Sequence, residues 1–196
     1  MENRISWVSL WPAFFEEGVE ATLRSLRYKH RELPSAISAI ILTRTSWEAF
    51  SNELIEQRGL DDSTKRLHTT EKISRIYSAL EGRDIVPENH EIWSNLVLIT
   101  ALRNAAVHFD TRPRQVSESP RDITKRLSYI GVIQSINGRE WERQVYCTKV
   151  AIWCCRQIGK AIETLERLQG QQFRPPETVS MQIDRLLAPL KEVKHA

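Results

Sequence analysis

The sequence contains no long apolar run. No segment approaches the roughly 18 consecutive apolar residues that a membrane-spanning helix needs. The first residues, MENRISWVSLW, include Glu2 and lack the layout of a signal peptide, in which a positively charged start precedes an apolar stretch. We therefore expect a cytoplasmic protein without a membrane partner.

Cysteine is scarce as well. The chain has three cysteines, Cys147, Cys154 and Cys155, and none is in C-x-x-C spacing. An odd number argues against a closed disulfide framework, and the spacing is not that of a thiolate metal site. We expect buried, reduced thiols in a helical core, with no metal site and no cofactor.

The common nucleotide and hydrolase motifs are also missing. The sequence has no Walker loop, no G-x-G-x-x-G, no G-x-S-x-G and no H-E-x-x-H. What the composition does provide is a formal charge of +3, with arginine more frequent than lysine. This mildly basic balance permits a polyanionic partner without requiring one.

Apolar residues recur at helical spacing along almost the whole chain, which predicts an all-α protein. The expected helices run through Phe15 to Leu26, from Pro34 to near Gly59, through Ile73 to Gly82, from about Glu88 to His108, from Trp141 to Leu168, and from Val179 to Leu190. Residues 61–64 are expected to form a polar loop.

Two segments after the fourth helix have other patterns. Residues 110–122 carry prolines, hydroxyls and arginines with almost nothing apolar, so we expect an exposed loop. Ser119, Pro120 and Asp122 resemble a helix start, whereas residues 123–136 suit either a helix or a short strand before a turn at Asn137.

These elements predict an all-α bundle with a C-terminal helical appendage. Residues 1–170 would form the bundle, and residues 171–196 would form a helical tail that packs on it.

The stretch LITALRNAAVHF, residues 98–109, places three costly polar groups in an apolar helix. Thr100, Asn104 and His108 are four residues apart and share one helix face, while Arg103 has a stem long enough to lean toward them. The spacing fits two interpretations. The polar groups form a satisfied structural network at a helix end, or they belong to a site.

Residues 103–108, R-N-A-A-V-H, resemble the R-x4-6-H signature of the HEPN superfamily, whose common form begins with Arg-Asn. A random shuffle of this composition produces R-N-x3-H on the order of one to two times in a hundred, so the asparagine carries most of the specificity. Ser46 to Phe50, with Glu48, is similar to an acidic-aromatic cluster that many family members place opposite the motif. The resemblance covers roughly residues 10–170 in helix order.

The resemblance implies a four- to five-helix bundle that acts as a homodimer and cleaves RNA without a metal ion. His108 would move a proton, Arg103 would stabilise charge on the phosphate, and Asn104 would position it. Glu48 and Thr100 would support these three residues. A two-fold dimer would bring two motifs into one cleft.

The arginines of the basic loop, Arg112, Arg114 and Arg121, are further candidates for contacts with RNA phosphates. A toxin or defence effector with an antitoxin or defence-system partner is one role consistent with the family. Two alternatives stay open: a non-catalytic module of the same fold that binds RNA or nucleotides, and a helical dimerisation protein whose motif is structural.

Overall fold

A computed structural model describes residues 9–82, 90–107, 119–134, 140–169 and 177–192 of the chain. All the regular structure in these ranges is helical, which confirms the predicted all-α class. The helices are α1 (Trp11–Arg27), α2 (Glu32–Gln57), α3 (Thr69–Glu81), α4 (Glu91–Val107), α5 (Pro120–Tyr129), α6 (Trp141–Val145), α7 (Thr148–Leu168) and α8 (Glu177–Glu192).

The longest helix, α2, lies at the centre of the fold and packs against α1, α4 and α7. Its aromatic residues are buried in the core, where the ring centroids of Trp47 and of Trp93 on α4 lie 6.2 Å apart. The contact with α1 is close because Gly18 has no side chain. A Cβ atom at this position would lie 2.5 Å from the Cγ2 atom of Thr43. This packing fixes which face of α2 remains for other helices.

The chain between α1 and α2 turns earlier than predicted. A single 3-10 turn, Lys29–Arg31, precedes α2, which then begins at Glu32 rather than at Pro34. Proline is tolerated within the first turn of a helix because the amide hydrogen it lacks would have no partner there. The expected loop at residues 61–64 is also wrong in part, since Asp62–Arg66 form a 3-10 turn capped by the Asp61 side chain.

The predicted long helix from Trp141 is two helices. The break lies at Tyr146 and Cys147, where the Tyr146 hydroxyl donates to the Leu102 carbonyl at 3.1 Å. The Glu32 carboxylate of α2 then accepts hydrogen bonds from the backbone and hydroxyl of Thr148, at 3.1 and 3.2 Å. Because an acidic group stabilises a helix N-terminus, this contact between distant parts of the chain starts α7.

Of the ambiguous residues 123–136, those up to Tyr129 are helical and residues 130–134 are not, while residues 135 and 136 lie outside the described residues. Ser119 caps α5, its side-chain oxygen accepting from the Asp122 amide, as predicted for this helix start. The loop at residues 110–118 and the turn at Asn137 lie outside the described residues. The fourth helix is described from Glu91, and residues 88 and 89 of its expected start also lie outside.

The last helix, α8, packs against α1 and α7. Val179 and Leu186 are buried with the main core, and Arg185 forms an ion pair with Glu20 of α1.

Of the three cysteines, Cys154 and Cys155 are buried free thiols, as expected. Cys147 is only half-buried, because it lies at the break before α7.

Within the described residues, no helix combines the length and the apolar content that crossing a membrane requires.

Glu166 on α7 is a buried carboxyl whose ionisation opposes folding. The residue is 4% exposed, and its Oε2 atom has no hydrogen-bond partner among the described residues. Burial, with a smaller effect of Glu163, raises the pKa of Glu166 from 4.5 to about 7. Between these two values the unfolded chain releases this proton while the folded chain retains it. Stability from this group is therefore present below pH 4.5 and is lost as pH rises to 7.

We predict that Glu166→Gln makes the melting temperature less dependent on pH. Because glutamine does not ionise, the variant should melt a few degrees above the wild type at pH 8, with a smaller difference at pH 4.5. Thermal unfolding at the two pH values measures this. Asp184→Asn, at an exposed carboxylate, is the control. An equal shift at both pH values would contradict the prediction.

Candidate functional site

A polar stripe on α2 contacts both α3 and α4. On α2, Arg44, Glu48 and Asn52 are spaced four residues apart and so lie on one face. Arg44 contacts Thr100 of α4, and Asn52 accepts a hydrogen bond from Lys72 of α3 at 3.0 Å. Arg44 also contacts Thr69, so the first residue of α3 lies beside this stripe.

Arg44 is the charged group at the centre of this arrangement and is only 9% exposed. Its Nε atom donates to the Thr100 hydroxyl at 2.8 Å, and its Nη2 atom donates a longer bond to the Thr69 hydroxyl at 3.4 Å. Its Nη1 atom has no hydrogen-bond partner among the described residues, and Glu48 Oε2 lies 3.6 Å away.

Burial lowers the pKa of Arg44, because the charged guanidinium has lost water, and the neighbouring positive charge of Arg103 lowers it further. Glu48 acts in the opposite direction. The Glu48 carboxylate is half exposed, so it compensates the buried charge only in part. This part of the protein therefore holds a buried cation without a fully matched counterion.

The two threonine hydroxyls differ in what they can still donate. The Thr100 hydroxyl gives its single proton to the Leu96 carbonyl at 2.9 Å and accepts from Arg44, so its proton is already used. The Thr69 hydroxyl accepts from Arg44 and has Thr100 Oγ1 at 3.4 Å as its one other polar neighbour among the described residues. Since Thr100 has no second proton, Thr69 is the donor in this long contact, and a closer acceptor on a ligand would compete for the Thr69 proton.

Arg103 and Asn104 form a pair on α4. Arg103 Nη1 donates to Asn104 Oδ1 at 3.1 Å, so the long arginine stem leans across the helix surface as its length suggested. The amide oxygen of Asn104 is thereby used, and its amide nitrogen is the group left to donate. Both side chains are half-buried.

These groups line one open pocket of about 470 Å³, which we call the α2–α4 pocket. Its described lining residues are Arg44, Glu48, Arg66, Leu67, His68, Thr69, Thr100, Arg103 and Asn104. Three are arginines and one is a carboxylate, so the lining is positively charged even with a neutral histidine. In a concave surface of low dielectric such an excess of charge attracts anions.

A second buried cation interacts electrostatically with Arg44 and Glu48. Lys72 is 6% exposed, and burial lowers the pKa of its amine, with Arg44 and Lys65 lowering it further and Glu48 raising it. Its amine donates to Asn52 Oδ1 at 3.0 Å. The lysine therefore adds positive potential in the neighbourhood of Arg44. In the described part of the chain, no three His, Cys, Asp or Glu side chains are grouped closely enough to hold a metal ion.

The structure brings together four of the residues predicted from the sequence. Glu48, Thr100, Arg103 and Asn104 all line the α2–α4 pocket. His108 lies outside the described residues, directly after the last described residue of α4.

The structure describes only one of the three arginines of the basic loop. Arg112 and Arg114 also lie outside the described residues. Arg121 is exposed in the first turn of α5 and is not among the described residues that line the pocket.

Sequence reasoning did not find Arg44, Arg66, His68 or Thr69. A signal for Arg44 was present, because this charged residue follows Ile37, Ile40 and Ile41 at helical spacing and stands four residues before Glu48. Arg66 and His68 carry no such signal, since an exposed basic residue next to a polar turn is ordinary. Only the approach of α3 to α2 and α4 reveals their place.

Comparison with family models, with curated proteins and with solved structures gives no significant match, so the pocket is interpreted from this chain alone.

Replacing Thr100 tests how firmly Arg44 is held. Thr100→Val removes the acceptor of the buried Nε atom, and we predict a loss of about 1 to 3 kcal/mol in the free energy of unfolding. Thr100→Ser keeps the hydroxyl and should cost less. Thr45→Val removes a hydroxyl that bonds only to its own helix, at the Ile41 carbonyl, and serves as the matched control. Chemical denaturation measures the free energy of unfolding of all three variants. Equal losses for the two valine variants would show that the bond from Arg44 to Thr100 adds no stability beyond that of a hydroxyl bonded within its own helix.

Proposed function

We propose that this protein is a metal-independent endoribonuclease whose active site includes the α2–α4 pocket. The observation that carries the proposal is the position of Arg103 and Asn104, the first two residues of the R-N-x3-H sequence. They are paired at 3.1 Å on the wall of a positively charged pocket rather than buried in a closed network. An accessible arginine and amide in such a pocket fit the recognition of a phosphate.

The proposed reaction uses the RNA's own nucleophile. The ribose 2′-oxygen attacks the adjacent phosphorus and gives up its proton, a new 2′-O–P bond forms, and the P–O5′ bond breaks. The leaving 5′-oxygen takes up a proton. The products are a 2′,3′-cyclic phosphate and a 5′-hydroxyl.

Each motif residue has one task in this reaction. Arg103 stabilises the negative charge that builds up on the phosphate oxygens, because its guanidinium is always charged and matches their geometry. The amide nitrogen of Asn104 donates to the same phosphate. His108 transfers the proton, since an imidazole can accept and donate near neutral pH.

A second proton-transfer group is also needed, to protonate the leaving oxygen. In the proposal, a two-fold dimer supplies it as His108 of a second copy. An RNase of this kind is consistent with the role of a cytoplasmic toxin or defence effector. Thr100 and Glu48 act through Arg44, Thr100 by a hydrogen bond and Glu48 by its charge.

Cleavage of a short RNA in the presence of EDTA tests the chemistry directly. We expect cleavage to persist, with a 2′,3′-cyclic phosphate and a 5′-hydroxyl at the ends. A substrate with a 2′-deoxy residue at the cut site should resist, because its nucleophile is missing. Activity that disappears in EDTA and returns with a divalent ion would contradict the mechanism, and binding without cleavage would favour a non-catalytic RNA-binding module.

Arg103→Ala tests the role of the motif. We predict that cleavage falls by roughly a hundredfold or more, while the melting temperature changes little, because Arg103 is half-buried and hydrogen-bonds to its neighbour Asn104. Arg75→Ala, which removes an exposed arginine from α3, is the control for loss of charge. A variant that unfolds would instead assign Arg103 a structural role. A folded variant that cleaves at the wild-type rate would exclude Arg103 from catalysis.

A further inference from the structure

We propose that the α3 end of the α2–α4 pocket, formed by Arg66, His68 and Thr69, is a phosphate-binding subsite in addition to the one at Arg103. It extends the proposed function, because the RNA phosphate next to the scissile one would occupy it. The binding of phosphate there does not itself require cleavage.

The first observation is the uncapped start of α3. The residue before its first turn is His68, whose side chain makes no capping hydrogen bond. The first amides of a helix have no partner within the helix, and together with the helix dipole they favour an anion.

The second observation is independent of the helix end and comes from Arg44. Arg44 is 9% exposed, lines this pocket and donates through Nη2 to the hydroxyl of Thr69, the first residue of α3, at 3.4 Å. One of its nitrogens lacks a hydrogen bond among the described residues. Glu48 compensates the buried charge of Arg44 only in part, so an anion that enters the pocket beside Arg44 lowers the electrostatic energy of this charge.

The available donors fit a ligand that is rich in acceptors. The Thr69 hydroxyl can donate its proton to a ligand in place of its long contact with Thr100. Arg66 adds an exposed guanidinium to the pocket lining. Glu48 is the single carboxylate among the described lining residues, so the lining offers donors and positive charge almost exclusively. A phosphate group, with several acceptor oxygens and negative charge, meets both requirements.

The arrangement gives the pocket two phosphate positions on different helices. Arg103 and Asn104 belong to α4, whereas Arg66, His68 and Thr69 belong to the approach to α3. Buried Arg44 lies between them, bonded to Thr100 on one side and to Thr69 on the other. In this proposal an RNA strand contacts both phosphate positions through successive phosphates, whereas a single free phosphate occupies one of them.

Phosphate binding is measured first without RNA, by the rise in melting temperature that inorganic phosphate produces beyond chloride at equal ionic strength. The wild type should show this rise. Thr69→Val and Arg66→Gln should each weaken the apparent phosphate affinity about fivefold or more, because each removes a donor to a charged ligand. Arg75→Gln on α3 and Thr45→Val on α2 are the matched controls and should retain the wild-type rise. Test variants that behave like these controls would overturn the subsite.

A second arm identifies the source of the phosphate. A labelled oligonucleotide with 2′-deoxy residues and no terminal phosphate binds without being cleaved, and its affinity should fall about fivefold in Thr69→Val and Arg66→Gln. If the variants lose affinity for the oligonucleotide, the ligand of the subsite is an internal RNA phosphate. If they lose affinity for inorganic phosphate alone, the subsite binds a free or terminal phosphate. Because neither arm measures cleavage, a failure of the proposed catalytic function leaves both readouts intact.

Discussion

The α2–α4 pocket depends on one buried charge, the guanidinium of Arg44. Moving a cation out of water is costly unless its hydrogen bonds and its charge are both compensated. Here two threonine hydroxyls satisfy two of its nitrogens, and a half-exposed carboxylate at 3.6 Å supplies a weak counterion. Nearby Arg103 adds repulsion. The site therefore holds positive charge that the protein itself does not neutralise, which is the condition for attracting an anionic ligand.

The bundle explains how this charge is held in place. Gly18 lets α1 pack closely on α2, and the aromatic contact of Trp47 with Trp93 joins α2 to α4. With these two faces of α2 fixed in the core, the stripe of Arg44, Glu48 and Asn52 is directed toward α3 and α4. The apolar faces of α2 pack in the core, and a different face carries the charged residues. The packed faces therefore set the orientation of the charged face.

The fold class and most helices could be predicted from the sequence, because apolar periodicity and the Ser119 cap are local signals. The break before α7 could not, since Glu32, more than a hundred residues away, caps Thr148. The same division holds for the site. The R-N-x3-H spacing pointed to Arg103 and Asn104, whereas the participation of Arg44 and Thr69 depends on how α2, α3 and α4 pack. Pairing between distant segments leaves no pattern in a single chain.

The central claim is that Arg44 is retained for anion binding at some expense in stability, and Arg44→Met tests it most directly. Methionine removes the charge but keeps the apolar stem, and Thr100 keeps its bond to the Leu96 carbonyl, so no buried donor is stranded. Melting temperature and RNA cleavage should be measured on the same preparation. We predict a melting temperature close to or above that of the wild type, with cleavage reduced by roughly a hundredfold. A fall of more than about 10 °C, with unchanged cleavage per folded molecule, would contradict the account.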